Sequence, residues 1–142
     1  MAREVRRVAY FYTMVRDEPG EGYRLLTRLA ELGTNLLAFT AVPIGPTTTQ
    51  LALFPDDAAK LQAEGIRAGI ELDGPHPALL VQGDDVIGAL VELHDTLFRE
   101  GINVFSSMAV ASGAGRYGYL MYLRPADVDA AATALAGKAA VA

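Results

Sequence analysis

The stretch RDEPGEGYRLLTRLAELGTN, residues 16–35, carries most of the fold information in this chain. It opens with a turn holding three acids, Asp17, Glu18 and Glu21, around Pro19-Gly20. Leucines then recur at helical spacing (Leu25, Leu29, Leu32), and Gly33-x-Asn35 leads into an apolar run. Apolar residues three and four apart with polar residues between them specify a helix packed on one side. A glycine after the last periodic leucine is a stop signal. The order is therefore turn, amphipathic helix, tight reversal, strand.

The same order returns 68 positions later as DDVIGALVELHDTLFREGIN, residues 84–103. Identical pairs are Asp17/Asp85, Gly20/Gly88, Leu25/Leu93, Leu29/Leu97, Gly33/Gly101, Asn35/Asn103, Ala41/Ala109, Val42/Val110 and Gly45/Gly113. Chance would give about two or three in a composition this biased. The polar positions Arg24, Thr27, Arg28 and Glu31 map onto Glu92, Asp95, Thr96 and Arg99, so both helices are expected to turn one face to water. An internal repeat of this length is the first thing a fold must accommodate. The expected boundaries are 1–74 for the first copy and 75–142 for the second.

Each copy reads as a strand (5–15; 78–82), a helix (20–32; 86–100) and a second strand (35–43; 102–111). A glycine-containing turn then leads to a third strand (48–54; 117–123). A second helix follows, with Pro55 or Pro125 expected in its first turn. The first copy supplies a short fourth strand in IELDG, residues 70–74, followed at once by the linker DGPHP. The second copy ends in GKAAVA, which offers no convincing fourth strand. β-α-β-β-α-β is the split βαβ order, so the expected class is α+β, ferredoxin-like, with antiparallel sheets and the helices on one face.

Composition narrows the function. The 142 residues are 51% hydrophobic and 20% charged, with net charge −5 and no cysteine or tryptophan. An acidic chain gains no counterion-release affinity for nucleic acid. Thiol chemistry and disulfides are excluded, which suits a cytoplasmic protein. The apolar stretch after the basic N-terminus is broken by Tyr10, Tyr12 and Thr13 and has no cleavage site, and no run reaches the roughly 20 apolar residues of a membrane span. His76 and His94 lack partners at metal-ligand spacing and read as structural or solvated. Neither a metal nor a cofactor is expected. Met14, Met108 and Met121 are expected to fill the core.

Asp17, Pro19, Gly20, Gly33 and Asn35 match in order and spacing the pattern of the ACT domain, a small ligand-binding module attached to enzymes of amino-acid metabolism. The second copy keeps Asp85, Gly88, Gly101 and Asn103 but has Ile87 in place of the proline. The chain thus resembles a stand-alone tandem ACT protein. The resemblance implies a non-catalytic regulatory protein that binds a small metabolite, most often an amino acid, between two ACT units. The contacting residues it implies are Arg16, Asp17, Glu18, Gly20, Asn35, Asp85, Gly88 and Asn103. The chemistry suits such a ligand: an aspartate for the ammonium, helix N-terminal N–H groups for the carboxylate, and an asparagine amide able to serve either.

Each of these residues also has a plain structural reading. Asp17 and Asp85 serve as helix caps, Gly33 and Gly101 as left-handed helix ends, and Asn35 and Asn103 as turn residues. A homodimer and an enzyme partner are expected. The alternative function is a ligand-free regulatory subunit that holds an amino-acid biosynthetic enzyme. Acetolactate synthase small subunits carry an ACT domain of this sort, but their further C-terminal domain has no counterpart here. An acylphosphatase-like enzyme would use Arg16, but three acids surround it and the glycine-rich anion loop is missing. An RNA-binding module, suggested by the tyrosines at 10–12 and 117–122, lacks the flanking basic residues.

Overall fold

A computed structural model describes residues 3–139. The elements run β1 (Glu4–Arg16), α1 (Glu21–Glu31), β2 (Leu36–Ile44), β3 (Thr48–Pro55), α2 (Ala58–Arg67), β4 (Asp73–Asp84), α3 (Ala89–Arg99), β5 (Ser106–Ala111) and β6 (Arg116–Tyr122). A 3₁₀ turn at Pro125–Asp127 then leads into α4 (Val128–Ala139). The class is α+β, with antiparallel sheets and ACT-like βαββαβ repeats. α1 and α3 begin and end 68 positions apart, as the sequence repeat requires.

The chain divides into two units. One is Ala9–His76; the other joins residues up to Val8 to those from Pro77 onward. In the first unit the strand order is β2-β3-β1-β4. β1 pairs with β3 from Phe11↔Leu53 to Arg16↔Thr48, and β2 pairs with β3 out to Ile44↔Thr48. Phe11, Leu51 and Leu53 of this sheet meet Leu25 and Leu29 of α1 and Leu61 of α2 in one core. Each buried leucine contributes roughly 1.5–3 kcal/mol.

In the second unit the order is β1-β4-β6-β5. β4 and β6 run in register from Ala78↔Tyr122 to Asp84↔Arg116. Leu79, Val81, Tyr119 and Met121 pack on Leu93 and Leu97 of α3 and on Ala131 and Leu135 of α4. The fourth strand that the second repeat lacks at its own end comes from the start of β1, whose Val5 packs on this core. Of the GKAAVA segment, 137–139 belong to α4, and 140–142 lie outside the described residues.

Five expectations need correction. DGPHP is not a linker, and IELDG is not a separate strand: one strand, β4, starts at Asp73 and runs through both prolines. Gly74 makes this possible. Its φ is 148°, and a Cβ there would lie 2.7 Å from the Tyr10 carbonyl oxygen, so only glycine fits against the neighbouring backbone. The His76 ring then lies tilted against Tyr10 and Tyr12, with ring centroids 5.3 and 5.6 Å away. Pro55 does not open α2; it ends β3 opposite Leu36, and Asp57 caps the helix by accepting from Lys60 N at 3.0 Å. Residues 102–105 are not strand, because β5 pairs only from Ser106. Of the three methionines, only Met121 is in the core; Met14 and Met108 are exposed, on the strand positions that alternate away from it. Thr96 is likewise buried rather than on the wet face of α3, and its hydroxyl donates to the Glu92 carbonyl.

Gly74→Ala is expected to destabilise the protein by about 1–3 kcal/mol. The check is a urea melt in which the midpoint falls while the slope stays constant.

Candidate functional site

One glycine sets up the post-strand turn in each repeat. Gly20 and Gly88 precede α1 and α3 in left-handed conformation, φ 89° and 81°, and no side chain caps either helix. Backbone carbonyls of the turn take some of the first-turn N–H groups instead: Glu21 N donates to Glu18 O, Ala89 N to Val86 O and Val91 N to Gly88 O. Asp17 and Asp85 do not cap; instead each donates its backbone N–H to the hairpin turn of its own repeat, Asp17 to Thr47 O and Asp85 to Gly115 O, both at 2.9 Å. The turn is thereby tied to the hairpin tip, and both carboxylates lie at the surface.

At the far end of each helix, Gly33 and Gly101 close it in left-handed conformation. Thr34 N donates to Leu29 O and Gly33 N to Ala30 O; Ile102 N to Leu97 O and Gly101 N to Phe98 O repeat the pattern. These are complete Schellman closures. Asn35 and Asn103 follow them directly and are exposed. The Asn35 carbonyl accepts from Asp56 N at 2.9 Å. An 11-residue helix spans about 16 Å, so within a repeat the aspartate and the asparagine stand at opposite ends. The structure does not bring them together inside one repeat. Arg16 and Glu18 lie at the end of β1 and in the turn, where the Arg16 guanidinium approaches Glu18 at 3.8 Å and Glu21 at 3.5 Å.

The second repeat has a cavity at this turn of about 380 Å³, within the range of small-ligand pockets. Asp85 and Gly88 line it together with Leu90, Val110, Ala111 and Tyr117. Apart from the carboxylate and the phenol, its side chains are aliphatic. Tyr117 is 8% exposed, and its ring lies over Gly83, where a Cβ would meet the hydroxyl at 2.9 Å. Burial pushes this phenol up from its ordinary pKa. The equivalent positions of the first repeat carry Glu18, Glu21, Gly22 and Tyr23 where the second has Val86, Ala89, Leu90 and Val91. One scaffold thus has two different linings.

The first repeat has its own larger cleft, about 540 Å³, between the end of β1, α1 and the loop entering β4. Arg16, Glu21, Arg24, Arg28 and Glu71 line it. Of these, only Arg16 is among the ligand contacts that the sequence resemblance implies. The signal that could have found the rest was the repeat itself: charge at 24 and 71 is exchanged for the opposite charge at 92 and 3. Tyr117 could have been found the same way, since Thr49 occupies its place in the first copy. His94 is structural. Its Nε2 lies 2.6 Å from the Tyr119 hydroxyl, which donates onward to Ser107. Among the described residues no cluster of histidine and carboxylate side chains could hold a metal, and no helix is long and apolar enough to cross a membrane.

No family model matches the sequence, and no significant match is found among curated proteins. Solved structures do match. Protein BT0572 from Bacteroides thetaiotaomicron is similar over 96% of this chain and 90% of its own, with TM-score 0.76 and 17% identity. The ligand-free regulatory subunit of aspartate kinase from Thermus thermophilus covers 98% and 97%, with TM-score 0.61 and 19% identity. A putative C-terminal regulatory domain of aspartate kinase from Porphyromonas gingivalis covers 96% of each chain, with TM-score 0.56 and 14% identity. The fold is ACT-like. At these identities the likeness speaks for architecture and not for ligand.

Beside the cavity, Arg116 Nη1 donates to Asp84 at 3.0 Å and Nη2 reaches Glu4 at 3.3 Å. The Arg116 bond holds the Asp84 carboxyl below the usual carboxylate range, against the opposing effect of desolvation. A folded pKa below the unfolded one contributes stability at neutral pH that is lost as acid titrates the group, below about pH 4. Arg116→Ala is expected to return the Asp84 carboxyl toward its ordinary value in an NMR titration, and to flatten the acid limb of the stability curve.

Proposed function

We propose that this chain is a non-catalytic regulatory protein that binds a free amino acid at the Asp85 turn and passes that state to a partner enzyme. The observation that carries the reading is the cavity beside Asp85 and Gly88, on a fold shared with aspartate kinase regulatory subunits. Asp85 takes the ammonium, the uncapped start of α3 takes the carboxylate, and Leu90 and Val110 favour an aliphatic side chain. Asn35 or Asn103 joins the contact from a neighbouring ACT unit in a homodimer. β5 suits that assembly, being a wholly exposed strand of uncharged residues at the end of its unit's strand order. Coupling to the partner is by linkage: the ligand stabilises one arrangement, and the enzyme responds to it. A catalytic role for Arg16 is disfavoured because its guanidinium already faces two carboxylates.

A second reading has its own support. Val86, Ile87, Val91 and Phe98 are exposed on and just before α3, which suits a surface that holds an enzyme without any ligand. A thermal-shift screen against the common amino acids separates the two. Under the first reading one aliphatic amino acid raises the melting point. At about 100 times its Kd it adds roughly 2.7 kcal/mol, a shift of several degrees. Asp85→Asn removes the shift and Asp17→Asn leaves it. A flat screen overturns the amino-acid reading and leaves the docking surface, to be tested by Val91→Glu against binding of the partner enzyme.

A further inference from the structure

The two repeats differ at a position where the second carries filling side chains and the first a cleft. In the second, Arg3 Nη1 meets Glu92 Oε1 at 3.2 Å, and the Tyr117 ring fills the space over Gly83. The counterparts 68 positions away are Glu71 and Arg24, with Thr49 and Val15 in place of the tyrosine and the glycine. The charges are exchanged, yet Arg24 forms its ion pair with Glu21 at 3.5 Å instead of with Glu71. Without a tyrosine to fill it, the space is the 540 Å³ cleft, with Arg24 and Glu71 both on its wall.

The wall is firmly held. Thr13, buried on β1, donates its hydroxyl to the Glu71 carbonyl at 2.8 Å, and Arg28 Nη2 donates to the Ala68 carbonyl at 2.6 Å. Gly69 at φ 77° closes α2, with Ile70 N donating to Gly65 O. A guanidinium has five N–H donors. Across Arg16, Arg24 and Arg28 the bond to Ala68 is the one hydrogen bond found among the described residues; the contacts to Glu21 are longer ion pairs of 3.5 Å. The cleft therefore has three guanidinium groups against two carboxylates: Glu21, shared by Arg16 and Arg24, and Glu71, which faces the same space.

We infer that this cleft is a second ligand site, separate from the Asp85 cavity, and that it takes a small acidic amino acid. The ligand's α-carboxylate and side-chain carboxylate are received by Arg24 and by Arg28 with Arg16, and its ammonium by Glu71. Charge-assisted bonds of this kind are the strong ones, and guanidinium matches carboxylate in two-point geometry. An acyl phosphate offers no ammonium for the glutamates. A simple diacid leaves Glu71 unpaired. An aliphatic amino acid leaves part of the arginine cluster unanswered. The protein would then read two chemically different ligands, an aliphatic one in the second repeat and an acidic one in the first.

The test is calorimetric titration of the whole chain at low salt with L-glutamate, L-aspartate, glutarate and L-valine. Saturable binding of an acidic amino acid is expected, tighter than glutarate. Arg24→Gln, at an exposed position that leaves the core untouched, should weaken it about tenfold or more. Glu71→Gln should remove the preference over glutarate while keeping the Thr13 bond, which goes to the backbone. Asp85→Asn should leave acidic-ligand binding unchanged, so the two sites succeed or fail separately. The inference is overturned if no acidic amino acid binds in the millimolar range, if Arg24→Gln leaves binding intact, or if glutarate binds the wild-type protein as well as glutamate does.

Discussion

Two left-handed glycines bracket the first helix of each repeat, and the placement of everything else follows from that bracket. Gly20 and Gly33, like Gly88 and Gly101, hold backbone conformations that a side chain resists. The first glycine turns the chain off the strand without needing a capping side chain. The second stops the helix after 11 residues with a pair of closing hydrogen bonds and releases the chain into the next strand. The fixed helix length decides which leucines reach the sheet and where the turn carboxylate and the asparagine come to rest. The same device that makes the fold repeat also leaves a helix start without a side-chain cap.

Much of this was legible in the sequence, and for physical reasons. Helix periodicity, glycine stops and the 68-residue offset are local properties of the chain, so the strand-helix-strand order of both repeats could be read directly. What could not be read depends on contacts distant in sequence. The prolines of DGPHP look like breakers until Gly74 is seen lying against the Tyr10 carbonyl. Met14 and Met108 look like core until strand register assigns their face. At the turn, the aspartates were recognisable but their bonding was not, because each uses its backbone N–H on a hairpin 30 residues away, as Asp17 to Thr47 and Asp85 to Gly115 show.

The repeats have kept their frame and diverged in their linings. Where the second repeat offers valine, alanine and leucine around its carboxylate, the first offers glutamates and glycine. Where the second closes a space with Tyr117 and an Arg3–Glu92 pair, the first leaves a cleft ringed by arginines. A backbone held by glycines and buried leucines tolerates such exchange, because the core leucines of both repeats are kept while the side chains around the turn change, Tyr117 being the altered residue that reaches into the core. Two copies of one scaffold can in this way acquire separate chemistry without separate folds.

The second unit takes its outermost strand from the start of the chain, and this has a consequence for synthesis. Glu4 bonds to Arg116, 112 positions away, and Arg3 to Glu92, 89 away. Arg3 and Glu4 thus meet these partners only after 89 and 112 further residues have been made. Contacts this distant are slow to form, and a strand waiting for its sheet exposes an unpaired edge. The first unit, by contrast, is complete at His76 and can fold while the rest is still being translated. The first repeat closes on strands of its own stretch, and the second closes only on a strand made before it.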